Sequence, residues 1–170
     1  MDRLDQLPGG APEKLTRQRA DIVVFACGDP AHADHDSIAI AACKGLPADV
    51  LERIDLKLTG PMRPEYLRDL SDGSFVIIAD TVPGAVGEVT AVQFIDLVGR
   101  EAPLEASSST IQPLDEVIAM AQLVRSEPLS GRFVGLAVEA VDLAAPPDAT
   151  AVEQLRAVVL DAIAEGGAED

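Results

Sequence analysis

Two short apolar runs constrain the fold most strongly, IVVFA at residues 22–26 and FVIIA at residues 75–79. Runs of this length that are rich in β-branched residues are typical of strands buried on both faces of a sheet. Segments with apolar residues at helical spacing alternate with these and further strand patterns. Such alternation predicts an α/β fold, a three-layer αβα sandwich whose central sheet is mixed but mostly parallel.

The remaining elements follow from hydrophobic period and from capping and turn residues. An edge or antiparallel strand is expected in EVTAVQFI, and a strand exposed on one side in RIDLKLTG. One helix has its apolar stripe at Leu114, Val117, Ile118, Ala121 and Val124. Strands are predicted at 21–27, 53–60, 74–80, 88–95 and 131–143, and helices at 36–44, 63–72, 112–127 and 146–165. We expect one domain over residues 20–165, a flexible extension at 1–19 and a disordered tail at 166–170.

Composition limits the partners and the compartment. The 170 residues carry a formal net charge of -16, which disfavours binding to nucleic acid or to anionic membrane and favours basic or cationic partners. No apolar stretch reaches the roughly 18 residues of a membrane span, and no signal peptide is recognisable, so we expect a cytoplasmic protein. Two cysteines are too few for a disulfide framework, and we expect Cys27 to be a buried thiol. We expect a monomer or a small homo-oligomer.

The segment CGDPAHADHDSIAI after the first strand is the candidate site, because it holds both histidines of the chain. Ligand sites of parallel sheets form at the carboxyl ends of strands, and the other buried run ends at Asp80. If the two strands are neighbours, Asp34 or Asp36 would face Asp80. Paired carboxylates repel each other unless a cation or a proton joins them, so this arrangement favours a metal ion. Imidazole from His32 or His35 beside carboxylates suits nickel or zinc.

Each candidate also has a purely structural interpretation. Asp36 is suited to cap the following helix, and Asp80 is suited to bind local backbone N–H groups at a turn. His32 and His35 would then be solvated loop residues. A Cys27–histidine pair would lack oxyanion donors, and Gly28 alone does not make a dinucleotide-binding loop, so nucleotide binding is disfavoured.

Five segments occur in an order that matches a known family: GDPAHADHDSIAI, VIIADTV, VGEVTAVQF, SSSTIQPLDEVIAMAQL and RFVGLAVEAVDL. The sequence resembles the hydrogenase maturation endopeptidases, whose counterparts include G-N-P-L-x-x-D-D/E-G-x-G-V, VIIVDAV and S-S-H-x-L. The resemblance runs from about residue 21 to residue 165. It departs from the family at Asp29 in place of asparagine, at Ser37 and Ala39 in place of glycines, and at one extra residue. The implied fold is phosphorylase/hydrolase-like.

The resemblance implies that Asp36 and Asp80 are the metal-sensing and catalytic acidic residues. The third family ligand, the histidine of S-S-H, falls on Ser109, and serine is a poor substitute for imidazole on nickel. An ungapped alignment from Gly28 instead places His35 at the first ligand position. On either alignment, His35 or His32 is the candidate replacement for the missing histidine.

The implied function is that of a metal-dependent, aspartyl-type endopeptidase. Such an enzyme trims the C-terminal extension of a nickel-iron hydrogenase large-subunit precursor after nickel insertion. The substrate supplies the nickel, and another divalent ion could take its place in the isolated protein. A catalytically inactive family member that acts in hydrogenase assembly is the alternative, and a small unrelated hydrolase using Cys27 or the aspartates is a third possibility.

Overall fold

The computed structural model describes residues 21–28, 38–98, 112–138 and 147–168. The expected extension at 1–19 lies outside these residues. The elements of the described part are β1 (Ile22–Cys27), α1 (Ile38–Lys44), α2 (Ala48–Leu51), β2 (Ile54–Thr59), α3 (Pro64–Arg68), β3 (Phe75–Pro83), β4 (Val89–Gln93), α4 (Phe94–Leu97), α5 (Leu114–Gln122), β5 (Ser130–Val138) and α6 (Ala149–Ala168).

The five strands form one sheet in the order β2-β1-β3-β5-β4. β2, β1, β3 and β5 are parallel to their neighbours, and β4 pairs antiparallel to β5 at the edge. The predicted mixed, mostly parallel sheet is therefore confirmed, as are the central positions of the two apolar runs. The run of β1 is buried at every residue because helices cover both faces, whereas every residue of the edge strand β2 is partly buried or exposed.

Two apolar layers flank the sheet and complete the αβα sandwich. One contains α1 and α6 packed on Val24, Ile77 and Val134. The other contains α3, α4 and α5 packed on the opposite face, at Phe25 and Phe133. Alternation along β1 and β3 sends successive side chains to opposite layers, which explains why neither run contains a polar interruption.

Several boundaries differ from the sequence-based expectation. β3 does not end at Asp80 but continues to Pro83, because residues 80–83 pair with β5. The segment predicted as one strand, EVTAVQFI, is β4 followed by α4, so its last residues are helical. The short helix α2 was not predicted, and Val124 is 65% exposed instead of buried with the other four stripe residues.

The last helix also extends further than expected. α6 runs to Ala168, three residues beyond the expected end of the domain at residue 165. Gly166 is buried and faces the Phe75 ring, which gives the end of this helix a packing contact. Among the described helices, none is both long enough and apolar enough to cross a bilayer.

Candidate functional site

One row of residues crosses the sheet at the level where β1 ends. Cys27 pairs with Thr59, and the pairing of Ala26 with Ala79 brings Cys27 alongside Asp80. Asp80 in turn pairs with Gly135 of β5. Residues paired side by side in a sheet project to the same face, so Thr59, Cys27 and Asp80 share the face covered by α3, α4 and α5. This row (Thr59, Cys27, Asp80 and Gly135) places polar groups directly beyond the apolar layer.

Asp80 is the one predicted site residue within the described part of the chain. Its side chain is only 4% exposed, and its strand neighbours in the same layer are Ile78 and Val82. The Asp80 Oδ1 accepts a hydrogen bond of 2.7 Å from the backbone N–H of Thr81. This is the local backbone contact that the structural interpretation of Asp80 predicted. A carboxylate can accept about four contacts, so the bond is compatible with a second role as a ligand.

Cys27 is buried beside Asp80, as predicted for this thiol. The Thr59 Oγ1 lies 4.0 Å from the Cys27 Sγ and donates to the Gly60 carbonyl at 2.7 Å. The Gly28 N–H donates to the Thr59 carbonyl at 2.8 Å, which extends the β1–β2 pairing by one residue. The chain therefore leaves β1 for the histidine-containing loop directly next to the row.

The other predicted site residues lie outside the described part of the chain. They are Asp36, His32 and His35, together with the alternative Asp34 and the family position Ser109. The structure confirms the condition on which their role depended, that β1 and β3 are neighbours and parallel. The meeting of Asp36 with Asp80 stays a prediction.

The metal-binding capacity of the described residues is small by itself. In residues 21–28, 38–98, 112–138 and 147–168, no group of three His, Cys, Asp or Glu side chains is placed to hold a metal ion. Asp80 would therefore need ligands from the loop after β1, from another part of the chain outside those residues, or from a substrate. Carboxylate with imidazole fits nickel, and a neighbouring thiol such as Cys27 is a soft group of the kind that transition metals accept.

The helix that follows the loop is fixed to α6. The Arg156 Nε donates to the Ala42 carbonyl at 3.1 Å, near the C-terminal end of α1. A Cβ at Gly45 would collide with the Arg156 guanidinium, so glycine leaves the space that this contact needs. Burial raises the pKa of the neighbouring Cys43 thiol to about 12, and the Arg156 cation opposes that shift. The hydrogen bond from Arg156 to Ala42 thus ties the C-terminal end of α1 to α6.

Sequence reasoning missed the row itself. It identified Asp80 but placed the residue at a strand tip, whereas Asp80 lies within β3, and the strands that end at this level are β1 and β2. Thr59 was not singled out because a threonine at the end of an edge strand is unremarkable. Only the register of β1 with β2 shows that Thr59 lies beside Cys27.

Fold and site together define a class: a three-layer α/β protein with a buried aspartate beside the carboxyl end of the central strand β1. The structure is similar to that of a NiFe hydrogenase maturation protease, HycI from Thermococcus kodakarensis KOD1. That similarity has a TM-score of 0.60 and 19% sequence identity, and it covers 88% of this chain and 94% of that chain. It is also similar to the hydrogenase maturating endopeptidase HybD from E. coli, with a TM-score of 0.60, 18% identity, and coverage of 86% of this chain and 94% of that chain.

The sequence itself matches no protein-family model and no curated protein. The two structural similarities establish the fold. They agree with the architecture expected from the alternation of strands and helices.

Proposed function

We propose that this chain is a divergent hydrogenase maturation endopeptidase that removes the C-terminal extension of a nickel-iron hydrogenase large-subunit precursor. The observation that carries the proposal is the buried Asp80 carboxylate beside the end of β1. It stands on a fold that two hydrogenase maturation proteases share. The order of sequence motifs independently leads to the same family.

The metal in this proposal belongs to the substrate. Asp36 and Asp80 bind the nickel that the precursor carries, and His35 or His32 supplies the imidazole that Ser109 lacks. A cation held in this way polarises a carbonyl or positions water near the scissile bond. The carboxylates therefore distinguish a nickel-loaded precursor from an empty one.

The test is a cleavage assay with the full chain and a large-subunit precursor, with and without nickel, read by mass spectrometry. Wild type is expected to shorten only the nickel-loaded precursor. Asp80→Asn keeps the acceptor for the Thr81 N–H but loses the charge, so activity should fall by at least about 100-fold. Asp161→Asn, the same change on an exposed residue of α6, should retain activity.

Equal cleavage of the nickel-free precursor, or full activity of Asp80→Asn, would contradict the proposal. Binding of the nickel-loaded precursor without cleavage would favour the second candidate, an inactive family member that serves in assembly. Ser109 at the histidine position of S-S-H is the observation that favours this alternative.

A further inference from the structure

Two adjoining pockets, together called the groove, follow the edge strand β2 along the face covered by α3. Its upper part, about 480 Å³, opens at Thr59 and Gly60 and is walled by Tyr66, whose ring stacks on Phe25 at a centroid distance of 6.3 Å. Its lower part, about 460 Å³, reaches Ser74 beyond the opposite end of the strand. The two parts share three lining residues, Lys57, Asp69 and Leu70.

The outer edge of β2 offers backbone hydrogen-bonding groups along this groove. Within the described part of the chain, β2 pairs only with β1. The Thr59 carbonyl accepts from Gly28, so Thr59 and the residues two and four before it bond to β1. By strand alternation, the N–H and C=O groups of Ile54, Leu56 and Leu58 point to the open edge. Such an edge is a template for an added strand.

The groove is acidic. Five carboxylates line it against two cations, and both cations already have acidic neighbours: Lys57 lies 3.3 Å from Asp55, and Arg53 lies 3.3 Å from Asp49. The lining carboxylates are Asp21, Glu52, Asp55, Glu65 and Asp69. Asp69 also has a cationic neighbour, Arg68 at 3.2 Å, and the remaining excess of carboxylates favours a segment with basic side chains.

The upper end of the groove lies close to the row. Thr59 belongs to both, and a strand added outside β2 would lie three strand spacings from Asp80, which is about 14 Å. About four to five residues of extended chain cover that distance. A peptide bound along β2 therefore delivers its next few residues to Asp80.

We propose that the groove along β2 binds an extended basic peptide segment by adding it as a strand to the open edge. The inference rests on the proposed function only for the identity of that peptide, which would be precursor chain adjoining the scissile bond. Six residues of β2 match a bound segment of about six residues. The acidic lining selects for lysine or arginine on the groove side.

The test uses a fluorescent ten-residue peptide of alternating lysine and valine with blocked ends, titrated against the full chain and read by anisotropy. We expect saturable binding, and no binding of the matching glutamate–valine peptide. Methylation of all backbone nitrogens keeps the charges but removes the donors, and it should weaken binding by at least about tenfold. Equal affinity of the methylated peptide would show charge attraction alone and overturn the proposal.

Two proline substitutions, one on each edge strand of the sheet, test which edge binds the peptide. Leu58→Pro removes an outward N–H and should weaken binding by at least about tenfold, whereas Leu58→Ala, which removes only side-chain atoms, should change it little. Ala91→Pro is the matched change on the other edge. The Ala137 N–H donates to the Glu88 carbonyl, so alternation points the Ala91 N–H outward from β4. Loss of binding in Ala91→Pro but not in Leu58→Pro would contradict the assignment.

The peptide assay contains neither nickel nor a hydrogenase, so its failure is distinguishable from failure of the proposed function. Cleavage of the precursor without peptide binding would contradict only the proposal that the groove binds a peptide. Should Leu58→Pro fail to fold by circular dichroism, the methylated peptide with wild type decides the question alone. Absence of any saturable binding overturns the proposal.

Discussion

Asp80 places a carboxylate among apolar side chains. The side chains next to it on the same face are Ile78 and Val82 along β3 and Cys27 on β1. Taking an ionised carboxylate out of water costs on the order of several kcal/mol unless partners compensate. The Thr81 N–H provides one such partner. A bound cation would stabilise the buried carboxylate far more than this hydrogen bond does. For this reason Asp80 is assigned to the site.

Cys43 gives a prediction that is independent of function. The folded chain holds the proton of this fully buried thiol more tightly than the unfolded chain, because burial raises its pKa from 9.0 to about 12. Its contribution to stability is therefore complete below pH 9 and is lost as pH rises towards 12. Above pH 9 the loss reaches about 1.4 kcal/mol per pH unit.

Urea unfolding of wild type and Cys43→Ala at pH 8.0, 9.5 and 10.5 measures this contribution. Since the variant lacks the thiol, the difference in unfolding free energy between the two proteins should shrink as pH rises above 9. A difference that stays constant over this range would show that the thiol titrates alike in both states.

At the scale of elements, substitutions at the C-terminal end of α6 test whether this helix packs against the sheet. A Cβ at Gly166 would collide with the Phe75 ring, whereas at Gly167 the nearest atom, on Ile22, lies at 3.9 Å. Gly166→Ala should lower the free energy of unfolding by about 1–3 kcal/mol, because the ring must move within a packed layer. Gly167→Ala should leave it unchanged or raise it by up to about 1 kcal/mol through helix propensity.

Thermal and urea unfolding of the two variants give these values directly. Equal effects of the two substitutions would mean that α6 ends before it reaches Phe75. The disordered tail expected from residue 166 onwards would then describe the chain better than the helix does.

The elements were predictable where one physical signal dominated. β1 lies where a buried apolar pattern predicted it, and α5 lies where four apolar residues recur at helical spacing. β5 begins one residue before its predicted start, and residues 139–143 of that predicted strand lie outside the described part of the chain. The end of β3 was not predictable, because residues 80–83 look like a turn and become a strand only by pairing with β5. The GG dipeptide at 166–167 is typical of a disordered tail when only local sequence is considered. Its packing partner Phe75 is distant in sequence and gives no local signal.

The whole molecule shows which part of a site can be predicted from sequence. Alternating strands and helices predict a parallel sheet, and the structure shows that β1 and β3 are neighbours in it, with β1 ending beside Asp80 and β3 ending at Pro83. The relative height of the two ends depends on register, which is set by packing across the entire sheet and has no local signature. For this reason sequence reasoning could name Asp80 but could not find its row with Cys27 and Thr59.

Fold-level similarity persists here at 18–19% identity. Many sequences satisfy one pattern of burial, so the sandwich tolerates extensive change while its volumes are preserved. A site is less tolerant because it needs particular groups, and function must therefore be argued from residues such as Asp80. Asp29, Ser37 and Ser109 differ from the residues of the hydrogenase maturation endopeptidase motifs. The proposed function therefore depends on which side chains bind the metal.

Titration calorimetry of Ni²⁺ into the full chain tests that ligand set most directly, with wild type, Asp36→Asn, Asp80→Asn, the double variant, His32→Ala and His35→Ala. If both carboxylates hold one ion, each single Asn variant should bind at least about tenfold more weakly, and the double variant should lose little more. His35→Ala or His32→Ala should also weaken binding if an imidazole replaces the one missing at Ser109. Unchanged affinity in both Asn variants, or losses that add as for independent sites, would contradict a shared metal site.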